Sequence, residues 1–176
     1  LCHVVLRSLP RRGGAVRATH PVVSISMSLP LDARCLTSEA GLGLDWPFES
    51  YPEYLDTIKS GGMAINLASF IGHTPVRLYV MGDDAMEREA TAAEINEMAA
   101  IVRTGMEAGA VGFSTSMAAT HNAFDGRPVP SRLASFAETN ALVGAMASSG
   151  RGIMQCTVGK KLFHDELSDL VQRHRI

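Results

Sequence analysis

The chain has 176 residues, of which 46% are hydrophobic and 19% are charged, and its formal net charge is −2. This composition is typical of a globular domain, and the near-zero charge lacks the basic excess expected of a nucleic-acid-binding protein. No apolar run approaches the roughly 20 residues that a membrane-spanning helix needs. The 3 cysteines form no CxxC pair, which favours a reducing compartment, so we expect a cytoplasmic protein.

Residues 1–35 differ from the rest of the chain. Four arginines precede the first acidic residue, Asp32, as in an organelle-targeting segment. The alternating VVSISMS sequence of Val22–Ser28 predicts a half-buried strand. We leave residues 1–35 otherwise unassigned and place one folded domain in residues 36–176. Because the chain starts at Leu1 rather than at a methionine, we interpret it as a piece of a longer protein.

Three predicted helices begin with a capping box, in which a Ser or Thr and a Glu three residues later exchange hydrogen bonds with the backbone. The boxes are Ser50–Glu53, Thr91–Glu94 and Ser135–Glu138. Apolar residues recur at helical spacing after each box. The same spacing predicts a last helix around Phe163–Val171.

Short apolar runs between these helices predict buried strands. They are Met63–Phe70, Ala110–Phe113 and Ile153–Val158. Gly109 suits the left-handed position that closes the helix before the second of these strands. Val76–Met81 fits either a short strand or a helical turn, and its periodicity does not decide between them.

The alternation of strands and helices predicts an α/β fold with parallel strands. About three consecutive βα units are less than half of an eight-stranded TIM-type barrel, which takes about 250 residues. We therefore predict a partial TIM-like (β/α) barrel, whose expected partner is the rest of its own barrel. Open sheet edges would make such a fragment aggregation-prone when isolated.

Polar side chains follow the predicted strands, at the sheet edge where α/β folds place their chemistry. His73 is a candidate proton shuttle because histidine titrates near neutral pH, and Arg77 is a candidate clamp for a carboxylate. The other candidate substrate-binding residues, from strand ends and from the loop of about seventeen residues after the second strand, are Asn66, Ser69, Ser114, Ser116, His121, Asp125, Arg127 and Gln155. The alternative is that these groups only satisfy the backbone at strand ends and turns.

Short catalytic motifs are absent from the sequence. It contains no HxH, HxxH or HExxH, no phosphate-binding GxGxxG, and no GxSxG elbow around Ser114 or Ser116. The residues therefore support neither a metal site with local ligand spacing nor a serine hydrolase.

Four segments carry a family resemblance. They are LDWPFESYPEYLD (44–56), NLASFIGHTPVRLYVMG (66–82), TAAEINEMAAIVRTGMEAGAVGFSTS (91–116) and HNAFDGRPVP (121–130). Together they resemble the D-aminoacylase, or N-acyl-D-amino-acid deacylase, branch of the amidohydrolase superfamily, over roughly residues 36–158. The resemblance implies a TIM-like barrel that hydrolyses the amide bond of small N-acylated D-amino acids with a zinc-bound hydroxide.

The resemblance also implies roles for single residues. His73 matches the histidine of the family's GH motif, Arg77 the arginine four residues later, and Ser114 and Ser116 the STS strand end. Thr157 stands where better-known members have a ligating histidine. The family's HxH, NCG cysteine and late aspartate have no counterpart here, so we assign no zinc ligand within this chain.

Three hypotheses about function follow. The first is a fragment of a metal-dependent amidohydrolase that cuts the C–N bond of N-acyl-D-amino acids, with zinc held mostly by segments outside this chain. The second is a non-catalytic, truncated or degenerate barrel that acts at most as a binding module. The third is a cyclic-amide hydrolase of the same superfamily. We expect a small-molecule amide as the ligand, and neither nucleic acid nor a membrane as a partner.

Overall fold

The computed structural model describes residues 2–6, 24–27, 48–61, 67–123 and 125–176. The described strands are β1 Cys2–Leu6, β2 Ser24–Met27, β3 Leu67–Gly72, β4 Gly112–Ser116 and β5 Ile153–Thr157. The described α-helices are α1 Tyr51–Gly61, α2 His73–Met81, α3 Ala92–Ala108, α4 Phe136–Ala147 and α5 His164–His174. Two short 3-10 helices, η1 Gly82–Met86 and η2 Pro130–Leu133, lie between them.

The described strands form one five-stranded sheet in the order β2-β1-β3-β4-β5. Strands β3, β4 and β5 are parallel, and helices connect them, which confirms the predicted α/β fold and its three βα units. β1 pairs antiparallel with both β2 and β3. β2 lies within the strand predicted for Val22–Ser28, whereas β1 has no counterpart among the predicted strands.

The helix starts follow the predicted capping boxes. The Thr91 side chain accepts the Glu94 backbone N–H, and the Glu94 carboxylate accepts the Thr91 backbone N–H. At the start of α1 the Glu53 carboxylate accepts the Ser50 backbone N–H at 2.9 Å. The segment that fitted either a strand or a helical turn is helical, since Val76–Met81 belongs to α2.

The bounds of all three predicted buried strands differ from the prediction, and β5 ends at Thr157, one residue before the predicted end. β4 begins at Gly112 rather than Ala110, because the Ala110 N–H still bonds the Gly105 carbonyl at 3.0 Å and so completes the end of α3. Gly109 has the expected positive φ, 121°. β3 covers Leu67–Gly72, later than the predicted strand; Asn66 lies outside the described residues.

The hydrophobic core lies between the helices and one face of the sheet. The sheet contributes Ile71 and Phe113, which are 2% and 0% exposed. The helices contribute fully buried side chains, among them Met98, Val102, Met106, Leu142, Val143, Met146 and Leu170. Burying a side chain of this size contributes about 1.5–3 kcal/mol, so this packing fixes which face of the sheet the helices cover. None of the described helices has the length and apolar content to cross a membrane.

Candidate functional site

The two faces of β4 separate the predicted site residues. Side chains alternate along a strand, so Phe113 and Thr115 point to one face and Ser114 and Ser116 to the other. Phe113 packs in the core beneath the helices. Ser114 and Ser116 therefore lie on the face that the helices do not cover.

Four polar side chains share this face near the carboxyl ends of β4 and β5. The register pairs Ser114 with Gln155 and Ser116 with Thr157. Neighbouring residues in register point to the same side of a sheet. We call the surface formed by Ser114, Ser116, Gln155 and Thr157 the inner face. It unites three predicted substrate-binding residues with Thr157, the residue at which the resemblance implies a ligating histidine in other members.

The inner face contains hydroxyls and one amide. Ser114 and Ser116 are each 3% exposed, and the Ser116 Oγ lies 2.7 Å from the Nδ1 atom of His121. His121 therefore lies beside the inner face, as predicted for the loop that follows β4. The Gln155 Oε1 atom is buried and has no hydrogen-bond partner among the described residues. A ligand N–H group that reached this buried acceptor would satisfy it.

Ser69 lies on the opposite face of the sheet. Its Oγ hydrogen-bonds to the hydroxyl of Tyr51 on α1, and that hydroxyl also donates to the Ser69 carbonyl at 3.1 Å. The structure thus separates Ser69 from the inner face, although the sequence placed Ser69 and the inner-face residues alike at strand ends.

A buried polar network joins α2, α4 and β4 on the helix-covered side. The His73 Nε2 atom is 2.7 Å from Glu138 Oε1, and its Nδ1 atom is 2.7 Å from Thr115 Oγ1. The Arg77 Nη1 group donates to Glu138 Oε2. The side chains of His73, Arg77 and Glu138 have no exposed surface. We call His73, Arg77, Glu138 and Thr115 the buried network.

The contacts of His73 determine which of its ring nitrogens carries the proton. Burial lowers the pKa of His73 below its usual value, and this outweighs the opposing effect of Glu138, so the ring is neutral near pH 7. Burial alone would raise the pKa of Glu138, but hydrogen bonds from His73 and Arg77 outweigh burial and lower it. The ionised carboxylate can only accept, so Nε2 donates to Glu138 and Nδ1 accepts from the Thr115 hydroxyl.

Two of the three guanidinium nitrogens of Arg77 donate hydrogen bonds within the chain. Its Nη2 group donates to the carbonyls of Ala85 at 3.3 Å and Arg88 at 2.8 Å, while its Nη1 group pairs with Glu138. Its Nε atom is buried without a partner among the described residues. In this structure Arg77 therefore fastens α2 to η1 and α4, away from the inner face.

The loop after β4 places Asp125 and Arg127 on the surface. The Arg127 Nε group donates to Asp125 Oδ2 at 2.7 Å, and its Nη1 group pairs with Glu87 at 3.0 Å. The Arg127 hydrogen bond is the main cause of a lowered pKa at Asp125. These charges bind the loop to η1, and no described hydrogen bond joins them to the inner face.

A comparison with protein families identifies the group to which this sheet and its helices belong. The profile of the amidohydrolase family matches residues 42–172, which include β3, β4 and β5 and the helices between them. The chain belongs to the amidohydrolase family.

Curated relatives of this amidohydrolase include two deacylases of Alcaligenes xylosoxydans xylosoxydans. Its D-aminoacylase is 35% identical over 95 residues, which are 54% of this chain and 18% of the relative. Its N-acyl-D-glutamate deacylase is 34% identical over 89 residues, which are 51% of this chain and 18% of the relative. The chain thus spans 18% of the length of each deacylase.

The fold is similar to solved structures of D-aminoacylase. A crystal structure described as defining a novel subset of amidohydrolases superposes with a TM-score of 0.58 and 25% identity, over 73% of this chain and 26% of that one. Another structure with the same scores concerns the binuclear metal centre of D-aminoacylase. The three parallel strands of this amidohydrolase are therefore part of a TIM-like barrel.

The described residues of this amidohydrolase do not fit a metal centre. Zinc in proteins is bound by thiolate, imidazole and carboxylate groups. Across the described ranges, no three His, Cys, Asp or Glu side chains come together as a ligand set. The inner face offers hydroxyls and an amide instead, and Thr157 supplies a hydroxyl where the resemblance places a histidine.

Glu138 is the residue of this site that the sequence did not reveal. The capping box predicted for Ser135–Glu138 forms only in part: Ser135 Oγ accepts the Glu138 backbone N–H at 3.2 Å, but the Glu138 carboxylate turns to His73 and Arg77. For the Glu138 carboxylate, hydrogen bonds to His73 and Arg77 in the core are more favourable than a second capping hydrogen bond at the helix start. His73 and Arg77 precede Glu138 by 65 and 61 positions, so no local sequence pattern indicates that they contact it.

Proposed function

We propose that the protein containing this chain hydrolyses the amide bond of N-acyl-D-amino acids. Membership of the amidohydrolase family supports hydrolysis, and the names of two relatives, D-aminoacylase and N-acyl-D-glutamate deacylase, support this class of substrate. Because the chain spans 18% of each relative, the activity is proposed for the whole protein.

The observation that carries this proposal is the buried Oε1 atom of Gln155, which has no hydrogen-bond partner among the described residues. A buried acceptor without a donor costs roughly 1–3 kcal/mol, so such atoms usually find a partner. An N-acyl amino acid supplies an amide N–H for Gln155, and its carbonyl and carboxylate oxygens can accept from the hydroxyls of Ser114 and Thr157. The donors and acceptors of the inner face thus complement those of the proposed substrate.

The inner face is proposed to bind and orient the substrate, with the catalytic metal held elsewhere. We propose zinc as that metal, as the family resemblance implies. We place it on residues beyond the described ones, because the hydroxyl and amide groups of the inner face do not fit it. Within the chain, Ser114, Gln155 and Thr157 would fix the position of the amide. His121 would hold the Ser116 hydroxyl through their 2.7 Å hydrogen bond.

Replacement of Gln155 tests this assignment. In the full-length gene product, we expect Gln155→Leu to raise KM for an N-acyl-D-amino acid about tenfold, the effect of losing one hydrogen bond, with a smaller change in kcat. The control is Gln172→Leu, which replaces an exposed glutamine of α5. Equal KM values for the two variants would show that Gln155 does not contact the substrate.

A binding module without catalytic activity is the second candidate function. Thr157 favours it, because a hydroxyl at the family's ligand position removes one imidazole from any metal centre. Such a protein would bind N-acyl-D-amino acids by the same inner face and leave their amide bond intact. Incubation of the full-length protein with zinc and substrate separates the two candidates by product formation.

A further inference from the structure

We propose that Glu138 and His73 are positioning residues that act through Thr115 on the carboxyl end of β4. This strand end carries Ser114 and Ser116, so the inference rests on the proposed function of the inner face. It gives His73 a role other than the proton shuttle expected from the sequence. His73 would fix the strand that presents the substrate-binding hydroxyls, without touching the substrate.

His73 lies on the helix-covered side of the sheet, opposite the inner face. Both ring nitrogens are engaged, Nε2 with Glu138 and Nδ1 with Thr115, each at 2.7 Å. The ring centroid lies 5.3 Å from that of Phe113, which belongs to the helix-covered face of β4. The sheet therefore stands between the imidazole and a ligand on the inner face. A group in this position can act on such a ligand only through the strand.

Thr115 is the residue through which the buried network reaches that strand. It lies between Ser114 and Ser116, and its side chain points away from theirs. A hydrogen bond from its hydroxyl to His73 restricts the Thr115 side chain and the two peptide groups beside it. Those peptide groups set the directions of the Ser114 and Ser116 side chains on the other face.

A second link holds the same strand end by its backbone. The Ser131 hydroxyl donates to the Ser116 carbonyl at 2.8 Å, and the Thr74 hydroxyl donates to Ser131 Oγ at 3.2 Å. Thr74 directly follows His73 in the first turn of α2. The start of α2 therefore holds two consecutive residues of β4, Thr115 by its side chain and Ser116 by its carbonyl. This arrangement fixes the strand end relative to α2.

The ionised state of Glu138 controls the direction of the hydrogen bond to Thr115. The carboxylate accepts from both His73 and Arg77, which leaves the Nδ1 atom of His73 as an acceptor. In Glu138→Gln the amide oxygen must face Arg77, which can only donate, so the NH2 group faces His73. The imidazole must then accept at Nε2 and carry its proton on Nδ1. The structure thus predicts a tautomer change from this single substitution.

Nitrogen-15 NMR of the His73 ring tests this step without an activity assay. We expect the Nε2–H tautomer in the unmodified protein and the Nδ1–H tautomer in Glu138→Gln. In Thr115→Val we expect the Nε2–H tautomer to remain and the backbone amide signals of Ser114 and Ser116 to shift. An unchanged His73 tautomer in Glu138→Gln would overturn the proposal that Glu138 sets the direction of the hydrogen bond between His73 and Thr115.

Kinetics of the full-length gene product test the effect on the inner face. We expect Thr115→Val to lower kcat/KM for an N-acyl-D-amino acid about five- to tenfold, with an unchanged pH profile, since the strand is misplaced but no titrating group is lost. The control is Thr139→Val, an equally buried threonine of α4 whose hydroxyl donates to the Ser135 carbonyl at 3.3 Å. We expect this control to stay within twofold.

The outcomes distinguish this inference from the proposed function. If amides are hydrolysed but Thr115→Val and Thr139→Val behave alike, the positioning role is wrong and the proposed function stands. A new pH dependence in Thr115→Val would also contradict positioning. If no amide is hydrolysed, the proposed function fails. The backbone amide signals of Ser114 and Ser116 then decide the inference: a shift in Glu138→Gln but not in Thr139→Val supports it, and no difference between these two variants overturns it.

Discussion

Arg77 and Glu138 form an ion pair whose side chains are both completely buried. Taking two charges out of water costs several kcal/mol per ion, which their attraction and further hydrogen bonds must offset. His73 supplies one such bond to Glu138, and the Ala85 and Arg88 carbonyls accept two from Arg77. The pair is therefore stable only as part of the complete network.

Loss of Arg77 should strongly destabilise the protein. Arg77→Met leaves Glu138 as a buried charge with one partner fewer, so we expect the free energy of unfolding to fall by about 3–5 kcal/mol in urea denaturation. Arg173→Met is the control, because Arg173 is 59% exposed and pairs with Asp169 on the surface of α5. There we expect little change, because an exposed ion pair is screened by solvent and contributes little to stability. Similar values for the two variants would contradict the assigned role of Arg77.

The α3 helix shows which structural signals are local in sequence. Its start at the Thr91 capping box and its end at Gly109 were both predicted, because each depends on residues within one turn. Its end has another contact that was not predicted: the Arg151 guanidinium donates to the carbonyls of Ala110, at 3.1 Å, and Met106. That contact joins residues about forty positions apart, and no sequence pattern indicates it.

The same distinction explains the candidate site. Sequence placed Ser114, Ser116 and Gln155 at strand ends, and the parallel register brought them together as expected. The sequence did not assign Ser69 to a face of the sheet. The predicted strand ended two residues before the end of β3, and its register with the neighbouring strands was not predicted. Glu138 was missed because its partners come from a different helix.

Replacement of Gly109 tests the left-handed end of α3. Its φ is 121° and the nearest atom to an added Cβ is 3.9 Å away, so Gly109→Ala introduces backbone strain without a clash. We expect a loss of about 1–2 kcal/mol in the free energy of unfolding. Gly61→Ala, at an open position at the end of α1, should be neutral or stabilising by up to about 1 kcal/mol. A neutral Gly109→Ala would show that the backbone does not require glycine there.

At the scale of the whole molecule, the sheet separates the hydrophobic core from the proposed ligand-binding face. The helix-covered side holds the core and the buried network, whereas the inner face contains hydroxyls and a buried amide oxygen that has no partner among the described residues. In the described sheet β5 pairs on one side only, and Ile153, at its start, is 62% exposed. The chain covers 26% of the D-aminoacylase structure it resembles. We therefore propose the reaction for the protein as a whole, with the inner face contributing one wall of its site.

We propose that this inner face serves the hydrolysis of N-acyl-D-amino acids. The most direct measurement is product formation by the full-length protein from N-acyl-D-amino acids, N-acyl-L-amino acids and cyclic amides, before and after chelation and with zinc restored. We predict hydrolysis of the D-substrates, loss of activity on chelation and recovery with zinc. Hydrolysis of cyclic amides alone would indicate another amidohydrolase reaction, and binding of the D-substrates without hydrolysis under all these conditions would contradict the proposed activity.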